Sequence, residues 1–160
     1  MADAMQLHKA RNTFDFICSS MDQDGWKYSK NAEKLRIETG AKGEDLPVDL
    51  QIHVDADRQL VMIISPLSVV APEDKRLDLS IAVSMINNQL VHGCFDYDIM
   101  EGKIFYRQTT SIRGVTMGGN AFIRMLYVAC KTVDEYNDKL FMMAKGILPL
   151  EKFIENESKA

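Results

Sequence analysis

The stretch that decides the fold runs from Asn87 to Thr110, NNQLVHGCFDYDIMEGKIFYRQTT. Upstream of it a helical pattern stops at the Asn87-Asn88 pair, and Gly93 permits a left-handed exit. Apolar and polar residues then alternate on both sides of Glu101-Gly102, so a helix feeds a β-hairpin. A two-residue Glu101-Gly102 loop pairs Ile99 with Ile104 and Tyr97 with Tyr106 on one sheet face. It pairs Asp96 with Arg107 on the other. Each such pair contributes on the order of 0.2–1 kcal/mol, and a one-residue slip loses them together.

The helix before this hairpin opens at Pro72-Glu73-Asp74, with proline at the first helical position and acids at the positive dipole end. Leu77, Ile81 and Met85 lie on one side and Leu79, Val83 and Ile86 on another, which predicts a well-buried helix. Toward the N terminus, Val48, Leu50, Ile52 and Val54 alternate with Asp49, Gln51, His53 and Asp55, the cleanest strand signal in the chain. Asp55 to Arg58 turn it into Leu60–Ser65, a β-branched run expected to be central and covered on both faces. Leu35, Ile37 and Thr39 mark another strand, Gly40 and Gly43 a turn, and Trp26-Lys27-Tyr28 an extended piece. Leu7, Ala10, Phe14, Ile17 and Met21 define a first helix from about Asp3 to Met21, stopped by Gln23-Asp24-Gly25.

Downstream, Phe122, Leu126, Ala129, Val133, Tyr136, Leu140 and Met143 give a long helix to about Lys145, ended by Gly146 and Pro149. The order is α-β(3-4)-α-β2-α. Strands joined by short turns argue for an antiparallel sheet of five or six strands packed against helices, an α+β domain over 1–146. Residues 147–160 form a polar tail or a short helix anchored by Phe153 and Ile154.

With 160 residues the chain is one domain long, and it can bury a core without disulfide or metal staples. A net charge of −4 with scattered Lys and Arg argues against a nucleic-acid partner. Cys18, Cys94 and Cys130 are odd in number and widely spaced, and Met1–Leu7 lacks a signal-peptide pattern, so reduced thiols in the cytoplasm are expected. The Leu60–Ala71 apolar run is short and holds Pro66, so no membrane span is expected.

Several pieces resemble the YbjN family, bacterial proteins labelled sensory transduction regulators. They are Gly25-Trp26-Lys27-Tyr28, the Val48–Val54 and Leu60–Ser65 strands, Ala71-Pro72-Glu73-Asp74-Lys75-Arg76, and Asn87 near its helix end. The most telling are Gly93-Cys94-Phe95-Asp96-Tyr97-Asp98 and Gly102-Lys103-Ile104-Phe105-Tyr106-Arg107. The resemblance covers about Leu7 to Lys145, and is specific as an ensemble of short pieces. It implies a type III secretion chaperone-like fold, often dimeric and binding extended protein segments, and it implies no catalytic residues. Cys94 and the tail beyond Gly146 are not features of that family.

The chemistry-bearing residues point the same way. Asp22, Asp24 and Gly25 hint at a calcium loop, but Gly25 at position six puts Asn31 where a bidentate Glu is needed. A helix-stopping turn explains them better. His92 and Cys94 would share a strand face without an orienting acid, so a structural reading is favoured. Gly118-Gly119-Asn120 lacks the Lys and Ser/Thr of a phosphate loop, and helix capping by Asn120 is favoured. His8 and His53 are isolated. No catalytic residue, cofactor or metal is assigned.

Ten methionines with Trp26, Tyr28, Phe105 and Tyr127 suit an adaptable protein surface, although most will fill the core. Ile123, Tyr127 and Cys130 form a second apolar stripe on the last long helix, a dimer seam or a partner groove. The expectation is a non-enzymatic protein-binding domain, regulatory or chaperone-like, using Ile123, Tyr127, Cys130, Trp26, Tyr28 and Phe105. The alternatives are a small enzyme or ligand sensor at His92/Cys94, and a self-associating adaptor.

Overall fold

Asp3 opens the first helix, α1 (Ala4–Asp24), by a reciprocal cap: its carboxylate accepts the Gln6 N–H at 2.8 Å while the Gln6 side chain accepts the Asp3 N–H at 2.9 Å. The helix runs past Met21 to Asp24 and ends on Gly25 in the left-handed region. A computed structural model describes residues 1–158, and Lys159 and Ala160, the end of the expected tail, lie outside the described residues. Four strands follow: β1 (Tyr28–Asn31), β2 (Arg36–Ala41), β3 (Val48–Asp55) and β4 (Leu60–Val70). Then come α2 (Arg76–Gln89), β5 (Cys94–Asp98), β6 (Lys103–Ser111), α3 (Gly119–Ala144) and α4 (Leu150–Glu157).

The strands form one antiparallel sheet of six in the order β1-β2-β3-β4-β6-β5. This is the expected α+β class. The helices lie on one face, with α3 across β3, β4 and β6, α1 beside α3, and α2 against β5. Phe14, Ile17, Leu50, Ile52, Ile63, Tyr106, Phe122 and Leu126 are fully buried between the layers.

Three of the four hairpins use the same four-residue loop, at 32–35, 56–59 and 99–102, while β2 and β3 are joined by a longer one at 42–47. An Asn or Asp before each four-residue loop folds its side chain over it. Asn31 Oδ1 accepts the Lys34 N–H at 3.0 Å and Asp55 Oδ1 the Arg58 N–H at 2.8 Å. Asp98 Oδ1 takes the Met100 and Glu101 N–H groups at 3.0 Å. Each loop closes on a left-handed residue: Leu35 at φ 50°, Gln59 at φ 55° and Gly102 at φ 72°. For Leu35 and Gln59 this conformation costs about 1–2 kcal/mol. Neighbouring strands hold them there: Val54 N–H donates to the Leu35 carbonyl at 3.0 Å, and Ile112 N–H to the Gln59 carbonyl at 2.9 Å.

The four-residue loop corrects the expected hairpin register. Tyr97 faces Ile104 and Phe95 faces Tyr106, while Ile99 sits in the loop. Because the shift is two residues, Tyr97 and Tyr106 stay on one sheet face. Asp96 now lies opposite Phe105, and its carboxylate reaches diagonally to Arg107, with Nε–Oδ2 at 2.5 Å and Nη2–Oδ1 at 3.2 Å. The Asp98 carboxylate, binding two loop N–H groups, outweighs a tight two-residue turn.

Further differences have local causes. β4 is central but covered on one face only, because no helix crosses the other; Met62 and Ile64 are half-buried among side chains of neighbouring strands. Pro72 precedes a 3-10 turn (Glu73–Lys75) rather than opening the α-helix. α2 buries Leu79, Ala82, Val83 and Ile86, but leaves Leu77 68% and Ile81 39% exposed on the opposite side. Gly118, not Asn120, stands at the N-cap of α3, and no side chain caps it. α4 packs against α2 through fully buried Phe153, while Ile154 stays partly exposed. Lys139 Nζ holds the buried Glu157 carboxylate at 2.8 Å.

Candidate functional site

Gly119 lets α3 start close to α1: a Cβ there would lie 2.9 Å from Ser20 Oγ and 3.5 Å from Phe16 Cζ. Two turns further along α3, Tyr127 reaches the end of α1, and its hydroxyl donates to Asp24 Oδ2 at 3.0 Å. Trp26 Nε1 donates to the same oxygen at 2.9 Å. The Trp26 and Tyr127 rings meet edge to face, with centroids 5.5 Å apart and planes at 62°. Behind them the Tyr28 hydroxyl donates to Asp22 Oδ1 at 2.9 Å, with the Cys18 carbonyl at 3.3 Å.

These contacts make a shallow corner lined by Asp24, Gly25, Trp26, Lys27, Gly40 and Tyr127. Tyr127 is 53% exposed. Its phenol is pushed up chiefly by the hydrogen bond that it donates to the Asp24 carboxylate. Burial, then the bond to Asp22, pushes Tyr28 up. Both phenols therefore remain donors. Cys130, one turn beyond Tyr127, is pushed up to about 11 by burial and then by Asp134. No ion pair among the described residues includes Asp22 or Asp24.

Of the six residues singled out from the sequence, the corner brings Trp26 and Tyr127 together; Tyr28 stands behind them on Asp22, and Ile123 and Cys130 flank Tyr127 along α3, partly buried against the core. Phe105 lies elsewhere. It pairs with Asp96 and Pro66 on the sheet face that no helix covers. Asp22 and Asp24, which orient the aromatic tips, are the members that sequence reasoning missed. The signal was an Asp-x-Asp-x-Trp-x-Tyr run at a helix end, where carboxylates and aromatic donors alternate.

The His92/Cys94 region is arranged differently. Cys94 Sγ lies 3.7 Å from Asp96 Oδ1 and 3.7 Å from Arg107 Nη2. Burial and Asp96 push the thiol up, against the pull of Arg107. His92 contributes its carbonyl, which accepts the Tyr106 hydroxyl at 3.0 Å. That is packing around the hairpin, not thiolate activation. Gly93 belongs to the same packing, since a Cβ there would lie 2.3 Å from the Tyr106 hydroxyl oxygen. Asn87 also acts structurally. Its side chain accepts the Phe95 N–H at 2.8 Å and donates to the Phe95 carbonyl at 2.9 Å.

A helical layer on one face of a six-stranded antiparallel sheet makes this an α+β fold, and solved structures share it. YbjN from E. coli matches with a TM-score of 0.60 and 13% identity, over 77% of this chain and 87% of that one. The ExsC–ExsE complex matches with a TM-score of 0.51 and 10% identity, over 88% of this chain and 97% of that one. The HopA1–SchA chaperone–effector complex matches with a TM-score of 0.51 and 12% identity, over 86% of this chain and 99% of that one. Identities this low show a shared fold alone. No family model and no curated protein matches the sequence.

Proposed function

We propose that this protein is a non-enzymatic protein-binding domain, regulatory or chaperone-like, that docks its partner on the α1–α3 face. The observation that carries the reading is the half-exposed Tyr127 ring set edge to face against Trp26 at the surface, with Tyr28, Ile123 and Cys130 partly buried around it. Amphipathic aromatic rings with oriented polar tips are the residues protein interfaces favour. Structural neighbours crystallised as complexes support the reading, as does the absence of an activated nucleophile at Cys94. Three free cysteines suit a reducing compartment such as the cytoplasm, and no helix among the described residues is long and apolar enough to cross a membrane. The test is photo-crosslinking in cells with p-benzoylphenylalanine at position 127 and, as a control, at position 105. A defined protein captured at 127 alone is expected. Equal capture at both positions, or none at 127, would remove the reading.

A homodimer is a second reading, favoured by a separate patch. Leu77 (68% exposed), Val70 (60%) and Met100 (78%) lie where Arg76 ties the Ala71 carbonyl, at 3.3 Å, to the Met100 carbonyl, at 2.6 Å. Light scattering of the wild type and of Leu77→Glu decides it: a dimer that the substitution abolishes is required.

A further inference from the structure

We infer that the Trp26–Tyr127 corner receives a basic side chain, an arginine or lysine carried by the docked polypeptide. This rests on the docking reading above and names the chemistry of the partner at that face. Asp24 is fixed by two neutral donors on one oxygen, and Asp22 by the Tyr28 hydroxyl, and neither carboxylate makes an ion pair among the described residues. Lys27 lines the corner but makes no ion pair with Asp24. Further along the same face Asp134, whose Oδ1 accepts the Glu44 N–H at 2.8 Å, adds a third carboxylate. An acidic partner would bring further negative charge against these carboxylates, with Lys27 the one basic residue lining the corner.

The aromatic rings add the second half of the complementarity. A cation against an indole or phenol ring is attracted by the ring quadrupole, and a planar, weakly hydrated guanidinium can stack while it donates to a carboxylate. The carboxylate is already oriented by Trp26 and Tyr127, so binding does not have to order it. The chain as a whole, at net charge −4, draws cationic segments toward it.

Trp26 is the only tryptophan, so its emission reports this corner directly. The probes are two acetylated, amidated pentapeptides, Ala-Leu-Arg-Leu-Ala and the same peptide with neutral citrulline for arginine, titrated into the full chain. The arginine peptide is expected to change the emission saturably and to bind about tenfold more tightly than its counterpart. Asp24→Asn, checked for folding by circular dichroism, should make the two peptides equal; Tyr127→Phe, which keeps the charge, should preserve the difference. Equal binding of both peptides to the wild type, or no response to either up to millimolar concentration, overturns the inference. If both bind equally and Tyr127→Ala abolishes both, the docking face stands and only its charge preference falls. If position 127 captures nothing in cells, the docking reading itself falls.

Discussion

At one edge of the sheet β5 has its outward Phe95 N–H and C=O taken by the Asn87 amide, and α2 lies alongside. At the other edge β1 is four residues long, pairs only with β2, and carries the aromatic corner at its start. A side-chain amide presents one donor face and one acceptor face, so Asn87 imitates a neighbouring strand and removes the pairing template. Nothing among the described residues does this for β1. The sealed edge is therefore read as structure, and the open edge, with carboxylates outside any ion pair and the half-exposed Tyr127 ring beside it, as surface for a partner. If the contrast is right, substitutions at the sealed edge cost stability, and substitutions at the open edge leave stability alone while changing recognition.

The largest effect is expected at Gly102, which closes the β5–β6 loop. A Cβ there would lie 2.4 Å from the Ala71 carbonyl oxygen, on a residue already in the left-handed region. Gly102→Ala should lower the unfolding free energy by about 3 kcal/mol, measured by urea denaturation. A loss under about 1 kcal/mol would show that β4 and the hairpin can separate freely at this end. Asn87→Ala comes next. It leaves two backbone groups of Phe95 unpaired, for about 2 kcal/mol. Amide exchange at Phe95 should accelerate with it, while exchange in β1 is unchanged. Unaltered stability would mean that the edge was never sealed by this residue.

Much of this division could be read from the sequence, and what escaped has a common cause. Period-2 alternation in Val48–Val54 and helical spacing in Phe122–Met143 placed the core correctly, because burial on one face sets those periods. The hairpin register failed because Glu101-Gly102 looked like a two-residue turn, while Asp98, which governs the loop, was read as a strand residue. The same Asx pattern at Asn31 and Asp55 repeats that lesson, with Leu35 and Gln59 in a conformation no propensity favours. The apolar arc of helix two predicts a well-buried helix, and exposed Leu77 and Ile81 show that an apolar residue states a preference but not a partner. In the candidate site, helical spacing located Ile123, Tyr127 and Cys130 together. Only the tertiary meeting of α1 and α3 could add Asp24, which is 103 residues from Tyr127. Phe105 shared their composition but not their face.

A smaller effect separates the cysteines of the two regions. Cys130 beside the open edge titrates at about 11 rather than the ordinary 9.0. At pH 8 ionisation alone should make its alkylation by iodoacetamide roughly a hundredfold slower than that of an ordinary thiol. Because the folded-state value is raised, the protonated thiol adds stability below the unfolded value, and that contribution is lost as pH rises from about 9 through about 11. Cys94, raised by burial and by Asp96 but countered by Arg107, shifts in the same direction. A bound partner should protect Cys130 further and leave Cys94 unchanged. Equal protection of both would place the partner across the sheet rather than on the α1–α3 face.

The smallest expected effect is the most discriminating. Tyr127→Phe removes one of the two donors on Asp24 Oδ2 but keeps the ring against Trp26. The lost hydrogen bond is exposed, so water replaces it, and stability should change by less than about 0.5 kcal/mol. Asp24 then keeps Trp26 as its donor, and the Trp26 emission should shift because its edge-to-face neighbour has lost its anchor. A loss above about 1 kcal/mol would make this corner a structural clasp between α1 and α3, equivalent to Asn87 at the far edge. The two edges would then differ in chemistry but not in purpose. A neutral Tyr127→Phe beside a costly Asn87→Ala keeps them distinct, because oriented aromatics and carboxylates that contribute little to folding are left available for recognition.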